Sequence, residues 1–68
     1  MFKIQEITGH LPEKGYSVEG GFVSLDDATN HAENKQRYVG STLQVTTPSG
    51  SIWYKKTRTS TVWKKLEN

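Results

Sequence analysis

The sequence contains no cysteine and only two histidines, so it lacks both a disulfide framework and the clustered Cys and His ligands typical of zinc sites. Hydrophobic residues make up 32% of the chain. No apolar run approaches the roughly 20 residues of a membrane span, and none has the length of a signal-peptide core. These absences predict a soluble, unprocessed cytoplasmic protein that has no membrane association and no cofactor.

Groups suited to catalysis are also scarce. His10 and His31 have neither a second histidine four residues along a helix nor a cysteine nearby, and we expect His31 to form an ordinary surface pair with Asp27. Asp26 and Asp27 are adjacent carboxylates, but their position at the start of a predicted helix accounts for them through the helix dipole. The sequence therefore predicts no enzymatic activity and no metal site.

At 68 residues the chain is expected to form one small domain, residues 1–68. Small cores without staples yield about 3 to 5 kcal/mol, so self-association is a reasonable way to bury more aromatic surface. The fold class predicted is α+β: an antiparallel sheet of about four or five strands, in the order β-β-α-β-β-β, with a single helix packed on one face. The expected elements are strands at 2–8 and 16–19, a helix at 25–36, a strand at 42–47, and a hairpin over 51–66. A Gly- and Pro-containing loop is expected at 9–15, and Gly20-Gly21 should form a bend or bulge after the second strand.

The helix is the clearest local signal. Ser24 is suited to cap its amino end, where its hydroxyl can accept from the backbone N–H of Asp26 or Asp27. The apolar positions Leu25, Ala28 and Ala32 recur at spacings of three and four and form a narrow stripe for close packing on a sheet. Gly40 is expected to adopt a left-handed conformation after the helix, with Tyr38 and Val39 packing back on the core.

The turn at Pro48-Ser49-Gly50 decides which side chains of the following strand face the core. A three-residue loop with a glycine bulge pairs Val45 with Trp53 and places Trp53 inside, with Ile52, Tyr54 and Lys56 on the opposite face beside Gln44 and Thr46. A two-residue loop instead pairs Val45 with Ile52 and turns Trp53 outward, because a slip of one residue exchanges the two faces.

The last hairpin has the same ambiguity around its polar centre, Thr57-Arg58-Thr59-Ser60. A three-residue loop pairs Trp53 with Trp63, whereas a two-residue loop pairs Tyr54 with Trp63. In either register a large aromatic side chain shares a face with basic residues.

Charge is unevenly distributed along the chain. Residues 1–50 hold four bases and six acids, whereas residues 51–68 hold five bases and one acid. This composition predicts a small binding module whose basic aromatic C-terminal hairpin contacts DNA or RNA through phosphate contacts and base stacking. The predicted nucleic-acid-binding residues are Lys55, Lys56, Arg58, Lys64, Lys65, Tyr54 and Trp63.

Two other interpretations remain open for the hairpin. Aromatic residues are common in strands of any function, and lysines on a strand keep it soluble and prevent edge pairing, so the hairpin could be purely structural. Alternatively, the exposed sheet face could bind a protein partner or a second copy of the chain as a homodimer.

Overall fold

The computed structural model describes residues 1–8 and 18–66. These residues form a five-stranded antiparallel sheet in the order β2-β1-β3-β4-β5, with one helix across one face. The α+β fold and the element order expected from the sequence are therefore confirmed. No helix in the described ranges is long and apolar enough to cross a membrane. The elements are β1 (Phe2–Ile7), β2 (Glu19–Phe22), α1 (Leu25–Lys35), β3 (Thr42–Thr46), β4 (Ile52–Lys56) and β5 (Lys64–Lys65).

The helix α1 begins as predicted. Ser24 has an extended backbone, and its hydroxyl oxygen accepts a hydrogen bond from the backbone N–H of Asp27 at 3.1 Å. Ala28 and Ala32 are completely buried, and their small side chains let the helix approach the sheet closely. The larger side chains of the strands therefore supply most of the core volume.

The core lies between α1 and the two central strands, β1 and β3. Ile4, Leu43 and Val45 are fully buried there together with the two alanines. The partly buried residues packed around this core are Phe2, Phe22, Leu25, Trp53 and Trp63.

The β3–β4 turn has the three-residue form. Gly50 has a φ of 92°, and its N–H donates to the Thr47 carbonyl at 3.0 Å, while the Thr47 N–H donates to the Ser51 carbonyl at 2.9 Å. Val45 therefore pairs with Trp53, and Trp53 packs against the core. The prediction based on the glycine bulge is confirmed, and the alternative register that turned Trp53 outward is wrong.

Both registers expected for the last hairpin are wrong. The structure pairs Trp53 with Lys65 and Tyr54 with Lys64, because residues 57–63 form a longer connection than either predicted loop. Thr57 is held against β3 by hydrogen bonds from its N–H and its hydroxyl to the Ser41 carbonyl, at 3.2 and 2.6 Å. The connection therefore begins at Thr57, directly after β4, and the chain pairs with the sheet again only at Lys64.

The second strand differs from its predicted position. Gly20 and Gly21 lie within β2 instead of after it, and the register with β1 shifts between the pairs Phe2–Phe22 and Ile4–Glu19. Gly21 has a φ of 95°, which an L side chain rarely adopts, so a glycine suits this irregularity. The predicted loop at 9–15, with His10, and the first half of the predicted strand at 16–19 lie outside the described residues.

A buried carboxylate ties β1 to the segment after α1. Glu6 is 1% exposed and accepts from the backbone N–H groups of Arg37 and Tyr38 and from the Ser41 hydroxyl. This arrangement directs the Tyr38 side chain outward to 41% exposure and leaves Val39 fully exposed. The prediction that Tyr38 and Val39 pack on the core is therefore wrong, since backbone groups rather than apolar side chains anchor this turn.

Candidate nucleic-acid interface

The two faces of the sheet have different environments. One face is covered by α1, and no described element lies across the other, which we call the open face. The pairing registers place ten strand residues there. They are Lys3, Gln5, Ile7, Thr42, Gln44, Thr46, Ile52, Tyr54, Lys56 and Lys64.

A row of four paired residues crosses the middle of the open face. Gln5 pairs with Gln44, Gln44 with Tyr54, and Tyr54 with Lys64, so two amides, an aromatic ring and an ammonium group lie side by side. Both glutamines are half-buried, and their amide groups have no hydrogen-bond partner in the described structure. The Lys56 Nζ atom lies 5.8 Å from the centre of the Tyr54 ring. We call Gln5, Gln44, Tyr54 and Lys64 the central row.

Charge on the open face has one sign. Lys3, Lys56 and Lys64 are exposed, and none of them forms an ion pair with a carboxylate in the described ranges. The acidic residues of the described structure belong to α1 or to the helix-covered side of the sheet. They are Glu6, Glu19, Asp26, Asp27 and Glu33. The described residues of the open face therefore carry positive charge with no carboxylate among them.

The structure divides the predicted binding residues between the two faces. Tyr54, Lys56 and Lys64 lie together on the open face, whereas Lys65 lies opposite Trp53 on the helix-covered side. Lys55 is also on that side and forms an ion pair with Glu33 of α1.

The two remaining predicted residues lie away from the central row. Trp63 packs against the core, and its indole N–H is buried without a hydrogen-bond partner in the part of the chain that the structure describes. Arg58 lies in the turn after β4 against Gly40, where a Cβ atom would lie 3.2 Å from the Arg58 Nε atom. The seven residues therefore do not form a single cluster.

Seven of the ten open-face residues were absent from the predicted binding set, and three of these carry amide or ammonium groups. Lys3 and Gln5 come from β1, and Gln44 comes from β3. In a strand, Lys3 and Gln5 necessarily lie on the face opposite Ile4, and the three-residue turn predicted Gln44 beside Tyr54. What the sequence did not reveal was that β1 and β3 are neighbours in the middle of the sheet.

Two ion pairs lie on the helix-covered side, Lys55 with Glu33 and Lys35 with Glu19. Lys35 donates a hydrogen bond to Glu19, which lowers the pKa of that carboxyl below its ordinary value. The charges of Lys35, His31 and Arg37 act in the same direction, while desolvation of the carboxyl opposes them. The His31 ring packs against Phe22 with 4.8 Å between the ring centres. Within residues 1–8 and 18–66, no three His, Cys, Asp or Glu side chains converge as metal ligands.

Searches against protein-family models, curated proteins and solved structures found no significant match to this chain.

Proposed function

We propose that this protein is a non-enzymatic nucleic-acid-binding module that contacts its ligand with the open face of the sheet. The observation that supports this proposal is the combination of three exposed lysines, no carboxylate among the described residues of that face, and Tyr54 in the central row. A polyanion that also carries aromatic rings matches this combination of groups.

Each part of the proposed interface has a distinct physical role. Lysine contacts with phosphates release condensed counterions, which supplies affinity that falls as salt rises. An aromatic ring on the surface adds base stacking, which tolerates different bases because every base has a flat face. Lys56 lies two residues along β4 from Tyr54, and Lys64 pairs with Tyr54 on the neighbouring strand, so both ammonium groups would lie near the phosphates next to a stacked base.

Mutagenesis can distinguish binding by the open face from binding by the whole predicted hairpin, because the four strand lysines of the hairpin are divided between the two faces. Lys56 and Lys64 are on the open face, whereas their sequence neighbours Lys55 and Lys65 are on the helix-covered side. The double variants Lys56→Gln/Lys64→Gln and Lys55→Gln/Lys65→Gln remove the same charge, and each provides the control for the other.

Fluorescence anisotropy with labelled oligonucleotides, titrated over a range of salt concentrations, tests the proposal. The open-face variant should bind more weakly, and the slope of log K against log salt should become shallower by about 1.4 to 1.8. The helix-side variant should keep both its affinity and its slope. Equal losses in the two variants would assign the binding to net charge instead of the open face, and absence of binding to any nucleic acid at low salt would refute the proposal.

The alternative predicted from the sequence, a protein partner or homodimer on the sheet face, has a smaller basis. The apolar strand residues of the open face, Ile7 and Ile52, belong to different rows and are separated by polar side chains. Sedimentation analysis at high protein concentration tests this alternative: a salt-insensitive dimer that dissociates when Ile52 is replaced by Ser would favour it.

A further inference from the structure

We infer that the ligand of the open face is a single-stranded polynucleotide, with one base stacked on Tyr54 and its edge hydrogen-bonded to Gln44 or Gln5. This inference rests on the proposed function and specifies its ligand. It depends on two features of the central row, its width and its unused amide groups.

The dimensions of the sheet argue against a duplex. Neighbouring strands are about 4.8 Å apart, so the central row spans about 14 Å from Gln5 to Lys64, and the five-stranded sheet spans about 19 Å. The minor groove of B-DNA is about 6 Å wide and the major groove about 12 Å, which admits a helix or a two-stranded ribbon. A flat face of this width does not fit into either groove of undistorted B-DNA, whereas unpaired bases can lie flat upon it.

The unused amides indicate contact with base edges. The amides of Gln5 and Gln44 reach solvent and form no hydrogen bond with another protein group in the described structure, so both are available to a ligand. They lie directly beside Tyr54, in the same row. An amide offers both a donor and an acceptor, and this pairing capacity matches the edges of a base whose Watson–Crick groups are free.

The positions of the lysines agree with a strand that passes across the face. Lys64 ends the central row on β5, Lys56 lies beside the Tyr54 ring, and Lys3 lies on β1 in the row of Thr46 and Ile52. The stem of Lys3 extends over Gly20 of β2, where the absence of a side chain leaves it room. Phosphates on either side of a stacked base would therefore meet an ammonium group on both flanks of the central row.

The test compares three ligands in anisotropy titrations with the full chain: oligo(dT) of about ten nucleotides, oligo(U) of the same length, and a duplex of matched length. Both single strands should bind more tightly than the duplex. The Tyr54→Leu variant should lose about 5- to 150-fold in affinity for the preferred single strand, the range given by one stacked base. Its weak affinity for the duplex should be unchanged.

Two further tyrosine variants serve as controls. Tyr54→Phe retains the ring and should retain the affinity, which separates stacking from the hydroxyl group. Tyr38→Leu removes an exposed tyrosine that lies in the segment after α1 and belongs to no strand, and this variant should bind as the unmodified protein does. Circular dichroism confirms that each variant is folded before its affinity is compared.

The outcomes separate this inference from the proposed function. Equal affinity for single strand and duplex, or an unchanged affinity in Tyr54→Leu, would overturn the inference while the weaker binding of Lys56→Gln/Lys64→Gln still supported the proposed function. Absence of binding to all three ligands at low salt would overturn both.

Discussion

The buried carboxylate of Glu6 provides the sharpest test of how this fold is stabilised. Replacing Glu6 by Gln keeps the shape of the side chain but removes its charge and turns one acceptor oxygen into a donor. All three groups that face the carboxylate are donors: the N–H groups of Arg37 and Tyr38 and the hydroxyl of Ser41. The new NH2 group would therefore point at another donor, and at least one of the hydrogen bonds to this side chain would be lost.

The expected cost follows from the number of bonds. Hydrogen bonds to a charged partner contribute about 1.5 to 3 kcal/mol, against about 0.5 to 1.5 kcal/mol for neutral pairs, so each of the three bonds loses about 1 kcal/mol. A total loss of about 3 kcal/mol is a large part of the roughly 3 to 5 kcal/mol expected for a domain of this size. The midpoint of thermal unfolding should fall by about 12 to 24 °C.

Equilibrium urea unfolding, followed by far-ultraviolet circular dichroism, measures this loss directly. The matched control is Glu33→Gln, which removes a carboxylate that is ion-paired with Lys55 at the surface and should cost less than about 1 kcal/mol. Ser41→Ala removes only one of the donors and should lie between the two. If Glu6→Gln is destabilised by no more than Glu33→Gln, the stabilising role assigned to the buried carboxylate is wrong.

Two further perturbations test separate parts of the structure. Because the Lys35 ammonium lowers the pKa of Glu19, this pair should add stability that is fully present above the carboxyl's unfolded pKa of about 4.3 and is lost as pH falls through the lower folded value. Glu19→Gln should therefore reduce the acid dependence of the urea midpoint below about pH 4.3, and an unchanged pH profile would contradict the assignment. Gly40 and Gly50 both have positive φ, so alanine at either site should cost about 1 to 2 kcal/mol. Gly40→Ala should cost more, because its Cβ would meet Arg58 whereas nothing lies within 4 Å at Gly50, and equal losses in thermal stability would show that the Arg58 contact does not matter.

Local chemistry explains which parts of the fold could be predicted. Ser24 specifies the start of α1 by a contact within one turn, and Pro48 and Gly50 specify a turn whose length fixes the register of β3 with β4. Those features depend on residues close together in sequence. The prediction of the β4–β5 register was wrong because Thr57 is hydrogen-bonded to Ser41, and no local sequence pattern indicates a contact between such distant segments.

The candidate site shows the same division. The length of the turn between β3 and β4 was enough to predict that Tyr54, Lys56 and Gln44 share a face of the sheet. That β1 also contributes residues to this face could be known only from the strand order. The alternation of side chains along β1 places Glu6 on the face of Ile4, but it does not indicate what Glu6 contacts. A charged residue in an alternating strand offers no sign of its partners when they lie more than thirty residues further along the chain.

The central position of β1 has a consequence for how the chain acquires its structure. Ile4 pairs with Glu19 of β2 on one side and with Val45 of β3 on the other, so the first strand cannot complete its pairing until a segment about forty residues later has been formed. The closure of such a long loop is an entropic cost that must be met before the core contacts form, which slows folding relative to proteins with local contacts. During synthesis β1 can pair with β2, but its other edge must stay unpaired until β3 has left the ribosome. We therefore expect the domain to fold in one cooperative step, without a stable partly folded intermediate.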